Sequence, residues 1–92
     1  MAGMEFEWDA AKDAANLAKH GVSLADAARL DWGNAQEELD DRSDYGEFRY
    51  SSLVPLEGRL HVCIYTTRQG IFRVISLRKA NAREVRRYEN FK

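Results

Sequence analysis

Cysteine is almost missing from this chain: Cys63 is the only one. One thiol excludes an intrachain disulfide and any metal knuckle built from cysteine pairs. A lone Cys within an apolar stretch suits a reducing cytoplasm. Histidine is nearly as scarce. His20 and His61 stand 41 positions apart, a spacing that matches no metal-ligand pattern, so neither a metal nor an organic cofactor is expected. No glycine-rich phosphate loop is present, and Gly58 and Gly70 read as turn residues. No apolar run approaches the roughly 20 residues of a membrane-spanning helix. Met1 to Phe6 lacks a basic region followed by an apolar run, so no secretory signal is expected. Internal repeats and low-complexity tracts are absent. The expectation is a cytoplasmic protein with no membrane role.

What is present is the balance of a folded domain. Of 92 residues, 45% are apolar and 32% charged, a composition that can support a core. The length fits a single domain over residues 1–92. Its core would be thin, so a partner binding the native state would add appreciably to its stability. The net charge of −1 conceals an asymmetry. Residues 1–67 carry 6 Lys/Arg against 13 Asp/Glu, a net of −7, whereas residues 68–92 carry 8 against 2, a net of +6. A basic C-terminal quarter suggests one face for an anionic partner: RNA, DNA or an acidic protein. The bland reading of the same charges is a solvated surface.

Periodicity predicts the elements. Glu5 to Trp8 alternates as a short strand. Asp9 is placed to cap a helix from Ala10 to His20, with Gly21 closing it in the left-handed conformation. On that helix Ala10, Ala14, Leu17 and Ala18 share one face, and Lys12, Asn16, Lys19 and His20 the other. Ser23 with Asp26 resembles a capping box, opening a second helix to about Leu30. The acidic stretch from Asp31 to Gly46 reads as irregular. Three strands follow, Glu47–Val54, Arg59–Thr67 and Ile71–Leu77, with Pro55 helping to end the first. The turns between them, Leu56-Glu57-Gly58 and Arg68-Gln69-Gly70, are short enough to demand antiparallel hairpins. Asn81 with Glu84 three residues on opens a last helix to about Asn90. Its apolar edge is Ala82, Val85 and Tyr88, and its basic edge Arg83, Arg86 and Arg87. The order predicts an α+β fold with helices packed on an antiparallel sheet.

Two stretches carry a family resemblance. Phe6 to Val22, F-E-W-D-A-A-K-D-A-A-N-L-A-K-H-G-V, resembles the opening of BrnT toxins, with Trp8, Asp9, Lys12, Asn16, Lys19, His20 and Gly21 in family positions. Ile75 to Glu89, I-S-L-R-K-A-N-A-R-E-V-R-R-Y-E, is similar to the closing segment, through Ser76, Arg78, Lys79, Ala80, Arg83, Glu84 and Tyr88. The chain departs from the pattern at Ala82 and Val85, where the family usually carries a basic residue. The resemblance implies a RelE-like fold: a small antiparallel sheet with two N-terminal helices and one C-terminal helix. It implies a metal-independent endoribonuclease that arrests translation and is neutralised by a ribbon-helix-helix antitoxin of the BrnA type. It implies two toxins per antitoxin dimer, with operator DNA contacted only through the antitoxin. The alternative is a weak or inactive homologue acting as a protein-binding co-repressor in that complex. A generic RNA-binding domain fits poorly with a signature at both ends.

Metal-free RNA cleavage requires a deprotonated 2′-OH, a phosphate held in line, stabilised transition-state charge and a protonated leaving group. Arginine suits the phosphate because its planar fork binds two oxygens at once. The candidates are Arg78 and Lys79 at the end of the third strand and Arg83 one turn into the last helix, all of which read equally as surface ion pairs to the acidic half. Tyr88 joins them as a candidate hydroxyl, with a core role as its default. His20 is the candidate acid or base, since imidazoles titrate near neutrality. A capping role at the end of its helix competes, and the polar face around it also suits a structural clamp onto the strands. Lys12, Lys19, Arg68, Arg86 and Arg87 complete the expected RNA-binding set. His61 reads as a sheet residue, Cys63 as inert, and Trp8 and Trp32 as core or interface aromatics.

Overall fold

In the computed structural model, residues 4–40 and 47–91 are described. Five strands form one sheet in the order β1-β5-β4-β3-β2: β1 Glu5–Glu7, β2 Gln36–Asp40, β3 Arg49–Leu56, β4 Arg59–Arg68 and β5 Ile71–Lys79. Two α-helices, α1 Ala10–His20 and α2 Ala82–Asn90, pack against it. The fold is α+β, and the three-strand meander is present, but the sheet is larger than expected and mixed. Strand β1 lies parallel to β5, Phe6 opposite Phe72, because α1 and the segments after it carry the chain away from the sheet before it returns. Strand β2 occupies part of the stretch expected to be irregular, antiparallel to β3 from Gln36↔Leu53 to Asp40↔Arg49. Its sequence, Q-E-E-L-D, has no apolar alternation because it is an edge strand, and charge is what edge strands use to discourage further pairing. The rest of that stretch, 41–46, lies outside the described residues.

The hairpins are tighter and longer than the turn residues alone suggest. Glu57-Gly58 has φ of 50° and 81°, and Gln69-Gly70 has 52° and 80°. Both are two-residue turns with positive φ at each central position, the geometry whose twist matches paired strands. Strand β3 therefore runs through Pro55 to Leu56 instead of ending before the proline. Pro55 is tolerated because its carbonyl accepts from Asp31 N–H (2.9 Å), on the side away from β4. A strand residue's N and O face the same edge, so the missing N–H is not required by the β3–β4 ladder.

The second N-terminal helix is not α-helical. Leu24–Arg29 is a 3₁₀ helix, followed by a 3₁₀ turn at Trp32–Asn34. The Ser23 hydroxyl accepts from Ala25 N–H, but Asp26 bonds to Arg29 rather than reaching back. Leu24, Ala27 and Leu30 are buried at a spacing of three. That spacing fits three residues per turn and would drift off one face of an α-helix.

Helix α1 docks through its polar face. Asn16 is its one buried residue, while Leu17 is 52% exposed. The Asn16 amide donates to the carbonyls of Val22 (2.8 Å) and Leu77 (2.7 Å) and accepts from Leu77 N–H (3.2 Å). It thus pairs with the edge of β5 beyond the point where β1 stops. Asp13 accepts from the Ser23 hydroxyl and Leu24 N–H, tying the helix to the next segment. The face of Ala10, Ala14, Leu17 and Ala18 points to solvent.

The sheet carries a core on each side. Val22, Leu24, Ala27, Leu30, Val54, Cys63, Tyr65, Val74 and Leu77 fill one, and Phe6, Trp8, Trp32 and Phe72 pack around it. A register shift between Ile64 and Tyr65 lets Val74 and Leu77, three apart, serve that same side. Leu53, Leu60, Val62 and Ala80 form the smaller core, covered by Val85 and Tyr88 of α2. Ala82 lies exposed instead of on that apolar edge. Among the described residues, no helix is long and apolar enough to cross a membrane.

Candidate functional site

Where the smaller core runs out, the sheet and α2 leave a groove of about 370 Å³. Val62 and Ile64 form its floor; Glu38 and Asp40 of β2 line one wall, and Arg78, Glu84 and Arg87 the other. Strand alternation places Arg78 here: it pairs with Val62 and lies on the face opposite Leu77. The Arg78 guanidinium donates from Nη1 and Nη2 to the two carboxylate oxygens of Glu84 (2.9 and 2.8 Å), and from Nη1 to the Lys79 carbonyl (3.2 Å).

Glu84 is itself fixed by the start of α2. Its side chain accepts from Asn81 N–H (2.9 Å), and the Asn81 side chain accepts from Glu84 N–H (2.8 Å), the reciprocal box expected from the sequence. The hydrogen bonds from Arg78, helped by the one from Asn81, hold the Glu84 carboxyl below the usual glutamate range against the opposing effect of burial. On the same flank of α2, Arg87 lies 3.4 Å from Glu38.

The other candidates fall in different places. Lys79, next along the strand from Arg78, alternates to the other face and is exposed. Arg83 and Arg86 stand on the outer side of α2, and neither they nor Lys79 form an ion pair among the described residues. Tyr88 is turned toward the far side of α2. Its ring packs against the smaller core, and its hydroxyl donates to the Asn34 carbonyl (2.6 Å). It does not line the Arg78 groove. Arg68, at the opposite end of the β4–β5 hairpin, pairs with Glu47 at 3.2 Å. Its partner Ile71 is seven strand residues from Arg78, roughly 23 Å at the usual rise.

His20, Lys12 and Lys19 meet at a shallow depression of about 230 Å³ with Ile75 and Ser76, along the edge of β5. Ser76 pairs with Ile64, which floors the Arg78 groove, and precedes Arg78 by two residues on the same face. The two depressions are therefore neighbours across one strand. This brings together Arg78, Arg87, Lys12, Lys19 and His20, and separates them from Tyr88 and Arg68.

The charge asymmetry is partly internal. Arg68, Arg73 and Arg87 pair with Glu47, Glu7 and Glu38 of the acidic part. His61 is buried, with Nδ1 against the Arg59 carbonyl at 2.8 Å. Burial pushes the Cys63 thiol up to about 12, which leaves it protonated and unreactive. Sequence reasoning missed the carboxylates Glu38 and Asp40, because the strand that carries them has no apolar period. It named Glu84 as a cap but not as the partner of Arg78. No group of His, Cys, Asp and Glu among the described residues is arranged to hold a metal.

No curated protein matches the chain. A family model described as "Ribonuclease toxin, BrnT, of type II toxin-antitoxin system" matches residues 8–84. That span runs from Trp8, just before the helix bearing Lys12, Lys19 and His20, to Glu84, the partner of Arg78. The chain belongs to the BrnT family of ribonuclease toxins of type II toxin–antitoxin systems.

Proposed function

We propose that this chain is an endoribonuclease that acts without a metal, arrests translation in the cytoplasm, and cleaves RNA in the groove centred on Arg78. The observation that carries the reading is the placement of Arg78, a guanidinium anchored where strand meets helix and lining an open groove. Such a group can orient a phosphate and stabilise charge developing on it. Arg87 adds a second cation in the groove. Lys12, Lys19 and His20 extend the surface across Ser76, in position for the flanking RNA or for proton transfer. Lys79, Arg83 and Arg86 supply attraction from outside the groove. Tyr88 serves the fold, and Arg68 lies too far away for the same scissile phosphate.

The partner that restrains this activity is an antitoxin, which the type II family implies. Our reading is that it is a ribbon-helix-helix protein of the BrnA type, acting as a dimer with two toxins and carrying them to operator DNA. One observation favours the co-repressor alternative: Glu84 compensates the charge of Arg78, which weakens it as a phosphate ligand.

Induction of the chain in cells lacking antitoxin separates the two. Growth arrest with loss of bulk RNA, relieved by an Arg78→Ala, Lys79→Ala double variant folded to the same extent, is the expected result. Arrest that the double variant leaves unchanged would move the chemistry away from Arg78, toward Lys19 and His20. Soluble folded protein that causes no arrest would overturn the nuclease and favour the co-repressor.

A further inference from the structure

We infer that Glu84, itself held by Asn81, is a positioning residue that fixes the guanidinium of Arg78 for the transferred phosphate. The inference rests on the reading of Arg78 given above and assigns a function to the carboxylate that offsets its charge.

An anion beside a phosphate-binding cation lowers its attraction for RNA, so its presence needs a compensating reason. Geometry supplies one. An unrestrained arginine side chain samples many rotamers, whereas a reacting phosphate must be held within about half an ångström of its productive position. Glu84 takes both Nη atoms of Arg78 at 2.9 and 2.8 Å, and the Lys79 carbonyl takes a further Nη1 hydrogen at 3.2 Å. These contacts engage the end of the guanidinium. Glu84 cannot swing to release it cheaply. It is third in α2, its side chain is 15% exposed, and it is bonded reciprocally with Asn81 at 2.9 and 2.8 Å. The first turn of a helix is thereby coupled to the head group of a strand residue six positions earlier. Attraction and orientation are divided between residues: Lys79, Arg83, Arg86 and Arg87 surround the junction with positive charge, and Arg78 contributes direction.

This division predicts a kinetic signature that a merely structural carboxylate would not give. Glu84→Gln keeps an oxygen for Asn81 N–H but loses the charge and one acceptor for Arg78. Removing an anion should leave RNA binding as tight or tighter, while freeing Arg78 should slow the chemical step. The experiment follows cleavage of an end-labelled, unstructured RNA of mixed sequence by the full chain. We expect kcat to fall about tenfold in Glu84→Gln with KM unchanged or lower, and by about 10²–10³ in Arg78→Ala. The double variant should be no slower than Arg78→Ala alone, because Glu84 acts only through Arg78.

An undiminished kcat in Glu84→Gln overturns the inference, as does a loss that multiplies with that of Arg78→Ala. Either result leaves the role of Arg78 standing. An Arg78→Ala variant as active as the wild type overturns the site assignment and the positioning role together. So does a wild-type chain that cleaves no RNA. Should Glu84→Gln fail to fold, nitrogen-labelled wild type decides the point. Resolved, slowly rotating Nη protons of Arg78 support the clamp, and a single averaged signal overturns it.

Discussion

Asn16 satisfies the Leu77 N–H and C=O and the Val22 carbonyl, all at a buried position. Asparagine can do this because its side chain carries both a donor and an acceptor, as a strand neighbour's backbone would. Asn16→Ala should therefore destabilise by about 2–4 kcal/mol, the cost of stranding several backbone groups at once. Asn16→Asp should cost at least as much near neutral pH, since an ionised carboxylate cannot donate to two carbonyls. Urea denaturation measures both, and a loss below about 0.5 kcal/mol in the alanine variant would mean that α1 is held by other contacts. The helical wheel alone could not settle which face docks. Four apolar residues marked one side, but three of them are alanines, whose burial gains little. A single fully bonded amide outweighs them, so the polar face turns inward and Lys12, Lys19 and His20 are carried to the β5 edge beside the Arg78 groove.

At the scale of elements, α2 has no buried residue of its own and depends on its N-terminal box and on Val85 and Tyr88. Asn81→Ala should cost about 1 kcal/mol. The Glu84 carboxyl, held low mainly by Arg78, adds a pH dependence of determinate sign. Its folded value lies below its unfolded value of about 4.3, so its stabilisation is complete above that pH and is lost as pH falls through the lowered folded value. Acid titrations of wild type and Glu84→Gln, followed by helical ellipticity, should separate at neutral pH, with the wild type more stable, and converge as the pH falls through the lowered folded value. Parallel curves at all pH values would show that the ion pair contributes nothing. Elements set by local chemistry were legible in the sequence: the Asp9 and Asn81 caps, the Gly21 terminus, and the two glycine-closed hairpins. Those set by distant partners were not. Strand β2 is defined by β3, with Glu37 on Tyr65 and Glu38 on Arg87 across the sheet. The partner of β1 could be named only once β5 stood beside it. The candidate site followed the same rule. Arg78 was visible as a basic residue at a strand end, but its groove could not be drawn without β2.

For the whole molecule, two small cores share strands β3 and β4. Cys63 and Val62 are neighbours on β4 yet belong to opposite sides, as do Val54 and Leu53 on β3. The smaller core has no strand of its own: Leu53, Leu60 and Val62 sit on strands that the larger core also uses. The chain should therefore unfold as one cooperative unit. The two sides can be read separately, because Trp8 and Trp32 lie only against the larger core. Leu53→Ala removes a residue that is 3% exposed in the smaller core, next to α2. It should destabilise by about 2–4 kcal/mol. For a domain of this length each kcal/mol lowers the melting temperature by about 4–8 °C. Tryptophan fluorescence and far-ultraviolet ellipticity should report the same lowered midpoint, although the substitution is on the side remote from both tryptophans. A tryptophan transition that stays at the wild-type temperature while ellipticity falls early would mean that α2 and the smaller core detach alone. The Arg78–Glu84 junction would then be a locally unfolding part of the toxin rather than a rigid one, and a fixed guanidinium could not be the basis of its chemistry.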